Sequence, residues 1–79
     1  MTVQQIRRYL YAAPFRPFAV YLADGRICTV MHPDLLLLSA SGRTADIYSD
    51  LHLFETVDCL MIVSLRAYSD AELHRPFSR

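Results

Sequence analysis

Histidine, cysteine and carboxylate side chains are the groups in this 79-residue chain that could perform catalysis or bind a metal. His32, Asp34, Asp50 and His52 are the candidate metal ligands, but no recognised ligand spacing joins them. Aspartates in turns and histidines on a surface explain the same four residues. The sequence therefore predicts neither a metal site nor a cofactor.

Nucleophilic and acid–base catalysis both require a pairing of groups that this sequence does not supply. Cys28 and Cys59 have no recognisable partner base, and both are predicted to be small buried side chains. The serines lack a nucleophile-elbow motif, and the two glycines do not form a phosphate-binding loop. Neighbouring carboxylates are better explained as solvated charges at turns and strand edges. No catalytic residue is predicted, and the chain is not expected to be an enzyme.

The arginines are the remaining candidates. All eight basic residues are arginine and the formal net charge is zero, unlike the strongly basic balance typical of nucleic-acid-binding proteins. Arg26 and Arg43 each follow a hairpin glycine, so they are expected at one end of the molecule, where Arg16 could join them and contact RNA. The alternative, which the charge balance favours, is pairing with acidic residues or protection of strand edges. The candidate acidic partners are Asp24, Asp34 and Asp46.

The elements that must position these groups begin with a helix. Thr2 and Gln5 fit a capping box, and Val3, Ile6 and Leu10 follow at helical spacing to form one apolar stripe. Pro14 disfavours helical geometry in the residue before it. The pattern predicts a helix over about residues 3–12, with its stripe packed on the rest of the chain.

About five short strands and tight turns follow the helix. Asp24-Gly25 predicts a two-residue hairpin that pairs Leu22 with Ile27 and turns Ile27 toward the core. Ser41-Gly42 predicts a second hairpin. A short helical turn is expected at 57–59, and Ser69 begins a second capping box. The predicted strands are 18–23, a second strand ending before His32, 35–39, 44–48 and 60–67, with Leu38 opposite Ala45 and Leu36 opposite Ile47. Residues 51–56 either continue the fourth strand or add another.

Two segments, 35–38 and 60–63, are apolar at every position, so strands formed there would need cover on both faces. The chain is 53% hydrophobic and has a mean hydropathy of +0.19. That much apolar surface in one small domain predicts a homo-oligomer, with a further protein partner as a second option. The predicted interface residues are Leu35, Leu37, Tyr48, Leu60 and Ile62.

Four short motifs are similar to those of a group of short, uncharacterised bacterial proteins with an RPF…DGR…HP…GR pattern. They are Arg16-Pro17-Phe18, Asp24-Gly25-Arg26, His32-Pro33-Asp34 and Gly42-Arg43. The resemblance covers most of the chain and implies no particular activity.

The layout also resembles the Sm-like (Hfq/LSm-type) family, in which a helix precedes a small five-stranded barrel. The resemblance lies in the helix, in Val20-Tyr21-Leu22 before the Asp24-Gly25 turn, in the leucine-rich third strand and in the apolar last strand. It implies ring-shaped homo-oligomers in which the fourth strand of one subunit pairs with the fifth strand of the next. RNA-binding rings of that kind carry a Lys-His pair before the last strand, whereas residues 54–58 here contain two acids, which repel phosphate.

Together these patterns predict one domain over residues 1–79. It comprises an N-terminal α-helix, an antiparallel SH3-like or Sm-like barrel over about 18–67, and a frayed tail over 68–79. The expected function is that of a non-catalytic homo-oligomeric assembly or adaptor module; the alternative is an RNA-binding ring. No signal peptide or membrane-spanning run is recognised, and a cytoplasmic protein with reduced thiols is expected.

Overall fold

A computed structural model describes residues 1–48 and 54–73 of the chain. The described strands form two antiparallel sheets, one in the order β2-β1-β6 and one in the order β3-β4-β5. The helices are α1 (Val3–Leu10) and α2 (Asp70–Leu73), with short 3-10 helices at Pro33–Leu35 and Cys59–Met61. The strands are β1 (Phe18–Leu22), β2 (Ile27–Val30), β3 (Leu36–Leu38), β4 (Thr44–Tyr48), β5 (Phe54–Asp58) and β6 (Ile62–Ala67).

The predicted class, mainly β with an N-terminal helix, is confirmed. The closed five-stranded barrel is not found, because the described strands are six and divide into two sheets of three. The interruption between β2 and β3 contains Pro33, which has no N–H to donate and begins a 3-10 helix.

The core lies between the two sheets and beneath α1. Ile6 and Leu10 of the helix are almost fully buried against both sheets, as the apolar stripe predicts. The capping box is also confirmed: the backbone N of Gln5 donates to Thr2 Oγ1 at 3.4 Å, and the backbone N of Thr2 donates to Gln5 Oε1 at 3.3 Å. The helix ends at Leu10, two residues earlier than predicted. The core side chains are Ile6, Leu10, Phe18, Val20, Leu22, Val30, Leu36, Ala45, Ile47, Val57, Cys59 and Ile62.

The first hairpin corrects the predicted register by one residue. Leu22 N donates to Arg26 O at 2.9 Å, so the loop has three residues, with Gly25 last and at φ +93°. Three-residue hairpins favour glycine at that position, and the predicted two-residue turn is wrong. Val20 therefore pairs with Cys28, which turns toward the core, whereas Ile27 is exposed.

The second hairpin has the predicted register. Leu36 pairs with Ile47 and Leu38 with Ala45, and the inward side chains of Leu36, Ala45 and Ile47 are buried. Gly42 occupies the turn at φ +75°. The alternation along β4 explains the success, because a shift by one residue would have buried Asp46.

The C-terminal elements differ more from the prediction. The helical turn forms at Cys59–Met61 rather than 57–59, because the Asp58 carboxylate accepts from Leu60 N at 2.9 Å. Residues 68–73, predicted to be frayed, are instead held by the second capping box, in which Glu72 N donates to Ser69 Oγ at 3.1 Å. Residues 51–53 of the predicted fifth strand and 74–79 of the predicted tail lie outside the described residues.

The two glycines offer a matched test of the second turn. A Cβ on Gly25 would meet nothing within 4 Å, whereas one on Gly42 would lie 3.2 Å from Val3 Cβ. Alanine at either position costs about 1–2 kcal/mol, because both have positive φ. We expect Gly42→Ala to lower the free energy of unfolding more than Gly25→Ala in urea denaturation followed by circular dichroism. Equal losses of unfolding free energy in the two variants would show that the Val3 side chain moves aside at no cost in stability.

Candidate functional site

The two predicted hairpin turns meet one segment, the 3-10 helix Cys59–Met61. Ala23 N, in the first turn, donates to Met61 O at 2.8 Å. Cys59 N donates to Arg43 O, beside the second turn, also at 2.8 Å. The same segment thus anchors the turns that carry the two candidate RNA-binding arginines, although it does not bring their side chains into contact.

Arg26 is occupied by acidic neighbours. Its Nε donates to Asp24 Oδ2 at 2.7 Å, its backbone N donates to Asp24 Oδ1 at 3.1 Å, and its Nη1 donates to Glu55 Oε2. Arg26 directly precedes β2 and Glu55 lies on β5, so this exposed ion pair connects the two sheets. Asp24 was an expected partner, whereas no sequence pattern indicates Glu55, which is remote along the chain.

The other two candidate arginines differ from each other. Arg16 Nη1 contacts Asp70 Oδ1 at 3.2 Å and donates to Tyr68 O at 3.0 Å, which fixes the start of α2. The side chain of Arg43 makes no ion pair within residues 1–48 and 54–73. Two of the three arginines are therefore paired with carboxylates. Of the predicted partners, Asp24 pairs with an arginine, whereas Asp34 and Asp46 make no ion pair among the described residues.

Hydrogen bonding lowers the pKa of two carboxylates. The Arg26 backbone N–H is the main cause for Asp24, followed by the Arg26 guanidinium. The Ser69 backbone N–H is the main cause for Glu72, and the Arg66 guanidinium again adds to it. Both groups are exposed ion-pair partners that brace a turn or a helix start, which is a structural role.

The two cysteines are placed as packing residues. Cys59 is buried and Cys28 is half-buried against the core. Burial raises the pKa of both thiols, and the carboxylates of Glu55 and Asp58 raise the pKa of Cys28 and Cys59 respectively. Neutral thiols are poor nucleophiles, so this surrounding does not activate them.

The structure describes two of the four residues considered as candidate metal ligands. His32 and Asp34 are exposed around the first 3-10 helix, while Asp50 and His52 lie outside the described residues. Within the described part of the chain, no three His, Cys, Asp or Glu side chains group closely enough to hold a metal ion. None of the helices found there has the length and apolar character needed to cross a lipid bilayer.

The predicted interface residues fall into two groups. Leu60, Leu37 and Tyr48 are exposed, by 77%, 59% and 45%. Tyr48 lies two residues after Asp46, which is opposite Leu37 in the sheet. Leu35 is half-buried and packs on the core. Ile62 is a correction: it is 1% exposed and cannot contact a partner.

The reason for the correction is the point at which the last strand begins. The 3-10 helix occupies Cys59–Met61, so β6 starts at Ile62, opposite Leu22, with its side chain inward. The register then shifts between Leu22 and Tyr21, which leaves Val63 as an extra residue at a β-bulge. Val63 is 58% exposed, and the sequence analysis did not identify it as an interface residue.

Strands β5 and β6 each have one edge without a partner strand among the described residues. The hydrogen bond from Tyr68 N to Pro17 O, at 3.0 Å, continues the register of β1 and β6, and the bond from Cys59 N to Arg43 O continues that of β4 and β5. In an antiparallel pair, residues that bond to the partner strand alternate with residues whose backbone groups point away from it. That alternation directs the backbone N–H and C=O groups of Leu65 and Ala67 outward on β6. On β5 it directs outward those of Phe54, Thr56 and Asp58.

A groove runs between α1 and β6. One part, of about 330 Å³, is lined by Arg8, Tyr9 and residues 63–65. A second part, of about 300 Å³, is lined by Arg8, Arg16 and Ala67 among others. The groove is a shallow basic cleft beside a strand edge, and Arg8 borders both parts of it. Arg8 lies off the apolar stripe of the helix, and nothing in the helical pattern indicates which strand lies beside it.

Comparisons with family models, with curated proteins and with solved structures find no match to this chain. The resemblances in sequence pattern therefore stay predictions. What the chain does has to be argued from the geometry of its own surfaces.

The cause of the Asp24 pKa shift can be tested by substitution. We expect NMR titration to place the Asp24 pKa below its ordinary 3.8. The stability that it contributes is then present above the unfolded-state pKa and is lost as the pH falls through the folded-state value. Arg26→Gln should raise the pKa only in part, because the backbone N–H remains. Arg66→Gln, which removes a similar ion pair from Glu72, should leave the Asp24 pKa unchanged. If Arg26→Gln returned the Asp24 pKa fully to its ordinary value, the backbone hydrogen bond would not be the main cause of the shift.

The thiols should be slow to react. We expect Cys28 and Cys59 to react with a disulfide reagent at neutral pH more slowly in the folded chain than in urea, because burial keeps them protonated. The measurement is the rate of thiolate release, with each Cys→Ser variant assigning the two phases. A thiol that reacts faster in the folded state than in urea would reveal an activated nucleophile.

Proposed function

We propose that this chain is a non-catalytic assembly module that self-associates, with β6 of one copy pairing with β5 of the next. Each three-stranded sheet has two unpaired edges among the described residues, on β2 and β6 and on β3 and β5. The observation that carries the proposal is that β5 and β6, one from each sheet, each have such an edge with outward N–H and C=O groups. An open strand edge is a template for another strand, because its N–H and C=O groups can bond to the C=O and N–H groups of a second open edge. A second copy is the one partner certain to carry both edges.

Charge supports the same pairing. The β6 edge borders the groove that contains Arg8 and Arg16. Strand β5 carries Glu55 and Asp58 and has no basic residue. Glu55 and Arg16 are already paired within the chain, whereas Asp58 and Arg8 make no ion pair among the described residues. A β5 strand entering the groove would bring the Asp58 carboxylate toward a basic surface, which favours this orientation over the pairing of two β6 edges.

Exposed apolar side chains supply the remaining support. Leu60, Met61 and Val63 lie together at the beginning of β6 and are exposed by 77%, 43% and 58%. A soluble chain of this size seldom leaves such a run in water, and burial against a neighbouring copy would stabilise the assembly by the hydrophobic effect.

We infer further that the two sheets are the halves of an SH3-like or Sm-like barrel. Strands β2 and β3 are separated by little more than a 3-10 helix, so together they correspond to one bent strand shared by both sheets. Strand β1 pairs with both β2 and β6, and a 3-10 helix separates β5 from β6. Counting β2 and β3 as one strand gives the five of the predicted barrel.

An RNA-binding ring is the second function that the sequence predicts, and it has less support. Arg26 and Arg16 are held by carboxylates, and the segment before β6 is acidic. Arg43 alone of the three makes no ion pair within the described residues. We therefore put self-association first.

The strand-edge proposal is tested with two equally exposed β-branched residues of one sheet. Val63 on β6 and Ile27 on β2 are both 58% exposed. We expect the unmodified chain to sediment well above its 9.1 kDa monomer mass. Val63→Arg should shift it to the monomer, because a charge at the β6 edge opposes the addition of β5. Ile27→Arg should leave the mass unchanged, because the edge of β2 takes no part in the proposed pairing.

Backbone chemistry supplies a second variant. The Ala67 N–H points outward, so Ala67→Pro removes a donor needed by a neighbouring strand without removing a bond to β1. Circular dichroism would verify that each variant keeps its fold. The proposal fails if the unmodified chain is a monomer at tens of micromolar, or if Ile27→Arg dissociates the assembly as fully as Val63→Arg.

A further inference from the structure

The outer face of the β3-β4-β5 sheet carries a compact set of exposed side chains. The register places Leu37 opposite Asp46 and Asp46 opposite Thr56, so these three form one row across the sheet. Tyr48 and Phe54 face each other in the next row. We name these five residues the outer-face patch. The patch lies on the face of the sheet rather than along the β5 and β6 edges.

The patch is largely apolar and open to solvent. Leu37 is 59% exposed, Phe54 is 51% exposed and Tyr48 is 45% exposed. The two rings contact each other with centroids 4.9 Å apart and planes tilted by 50°. The ring pair is therefore already arranged, and a partner would not have to order it.

Asp46 gives the patch its chemical character. Its carboxylate accepts from Thr56 Oγ1 at 2.7 Å, which orients one oxygen and leaves further acceptor positions open. Elsewhere in the described residues, Asp24, Glu55, Asp70 and Glu72 each pair with an arginine. Asp34, Asp46 and Asp58 make no such pair with the described residues. Of these three, Asp46 is half-buried on the sheet face between the exposed side chains of Leu37 and Tyr48. A carboxylate in that setting attracts a cation brought by something else.

We propose that the outer-face patch binds a segment of a partner protein that presents an arginine between apolar residues. A guanidinium is planar, donates forked hydrogen bonds to a carboxylate and stacks on aromatic rings. Residues two apart on a strand face are about 7 Å apart, so one guanidinium can reach Asp46 while lying against Tyr48. The apolar neighbours of the arginine would cover Leu37 and Phe54. A lysine satisfies only the charge, and an uncharged apolar segment would leave Asp46 buried without a partner.

The patch shares Phe54 and Thr56 with the β5 edge, but it uses their side chains on the sheet face, whereas strand pairing would use their backbone groups. The inference therefore stands whether or not the chain self-associates. It assigns to the chain a role as an adaptor that holds an arginine-bearing segment. A further copy of the chain docking on the same face would be a different outcome, which the experiment separates.

The experiment uses the whole 79-residue chain, isotope-labelled, and two short probe peptides. One probe is acetyl-Gly-Leu-Arg-Phe-Gly-amide; the other has citrulline, which is isosteric and uncharged, in place of arginine. We expect the arginine peptide to shift the backbone amide signals of Asp46, Tyr48 and Phe54 saturably. The citrulline peptide should bind at least tenfold more weakly.

Two asparagine variants complete the test. Asp46→Asn should weaken binding of the arginine peptide at least tenfold, while the fold, checked by circular dichroism, is kept. Asp34→Asn is the matched control, because Asp34 is an exposed carboxylate in the first 3-10 helix, outside the patch, and it should bind as the unmodified chain does. Tyr48→Ser should also weaken binding without changing the fold.

Several results would overturn the inference. They are equal binding of the two peptides, equal effects of the two asparagine variants, or no saturable shift up to millimolar peptide. A fourth is the loss of self-association in Tyr48→Ser when the peptide does not bind, since the patch would then be a contact between copies.

Discussion

The 3-10 helix Cys59–Met61 is the junction on which the rest of the fold depends. Met61 O accepts from the first hairpin turn, and Cys59 N donates to the second. The backbone N of Met1 donates to Cys59 O at 3.4 Å and to Ile62 O at 3.2 Å, which draws the start of α1 to the same place. Two sheets and a helix are thereby joined at one place, and Cys59 and Ile62 belong to the core that they share.

That junction also determines which apolar side chains remain outside. A three-residue turn of helix between β5 and β6 directs Cys59 and Ile62 inward, so Leu60, Met61 and Val63 must point elsewhere. A chain this small encloses a limited volume, and its surplus apolar surface lies partly on this segment and partly on the outer-face patch. The part on the segment is a consequence of how the core is closed, and it lies next to an unpaired strand edge.

Local signals determined how much of this could be predicted from the sequence. The α1 cap, the buried stripe of Ile6 and Leu10 and the second hairpin follow from spacing alone, because each depends on residues close together in the chain. The first hairpin could not be settled that way. Two-residue and three-residue loops both accept Asp-Gly, and β2 has apolar residues at both parities, so burial did not choose between the registers.

Long-range contacts explain the other failures. The prediction that Ile62 lies at an interface is wrong because β6 begins at Ile62 rather than at Leu60. The Asp58 side chain caps the 3-10 helix that precedes β6, and in the sequence this cap resembles an ordinary surface charge. The Arg26–Glu55 pair joins residues from different sheets, and no local pattern indicates it. The groove beside α1 likewise depends on which strand becomes its neighbour, which only the assembled topology decides.

The zero net charge conceals a separation of charge over the surface. Arg7 and Arg8 on α1, together with Arg43, make no ion pair within the described residues, and α1 contains no acidic residue. Asp46 and Asp58, on β4 and β5, are likewise without an ion pair there. Ion pairs neutralise Arg16, Arg26 and Arg66 locally. Arg7 and Arg8 on the helix and Asp46 on the second sheet are then unpaired charges of opposite sign within residues 1–48 and 54–73. Unlike surfaces on one chain favour head-to-tail contacts over symmetric ones, because like surfaces repel. The β6 edge beside the helix and the β5 edge of the second sheet would then be joined in one direction, and whether the series closes into a ring depends on the angle between successive copies.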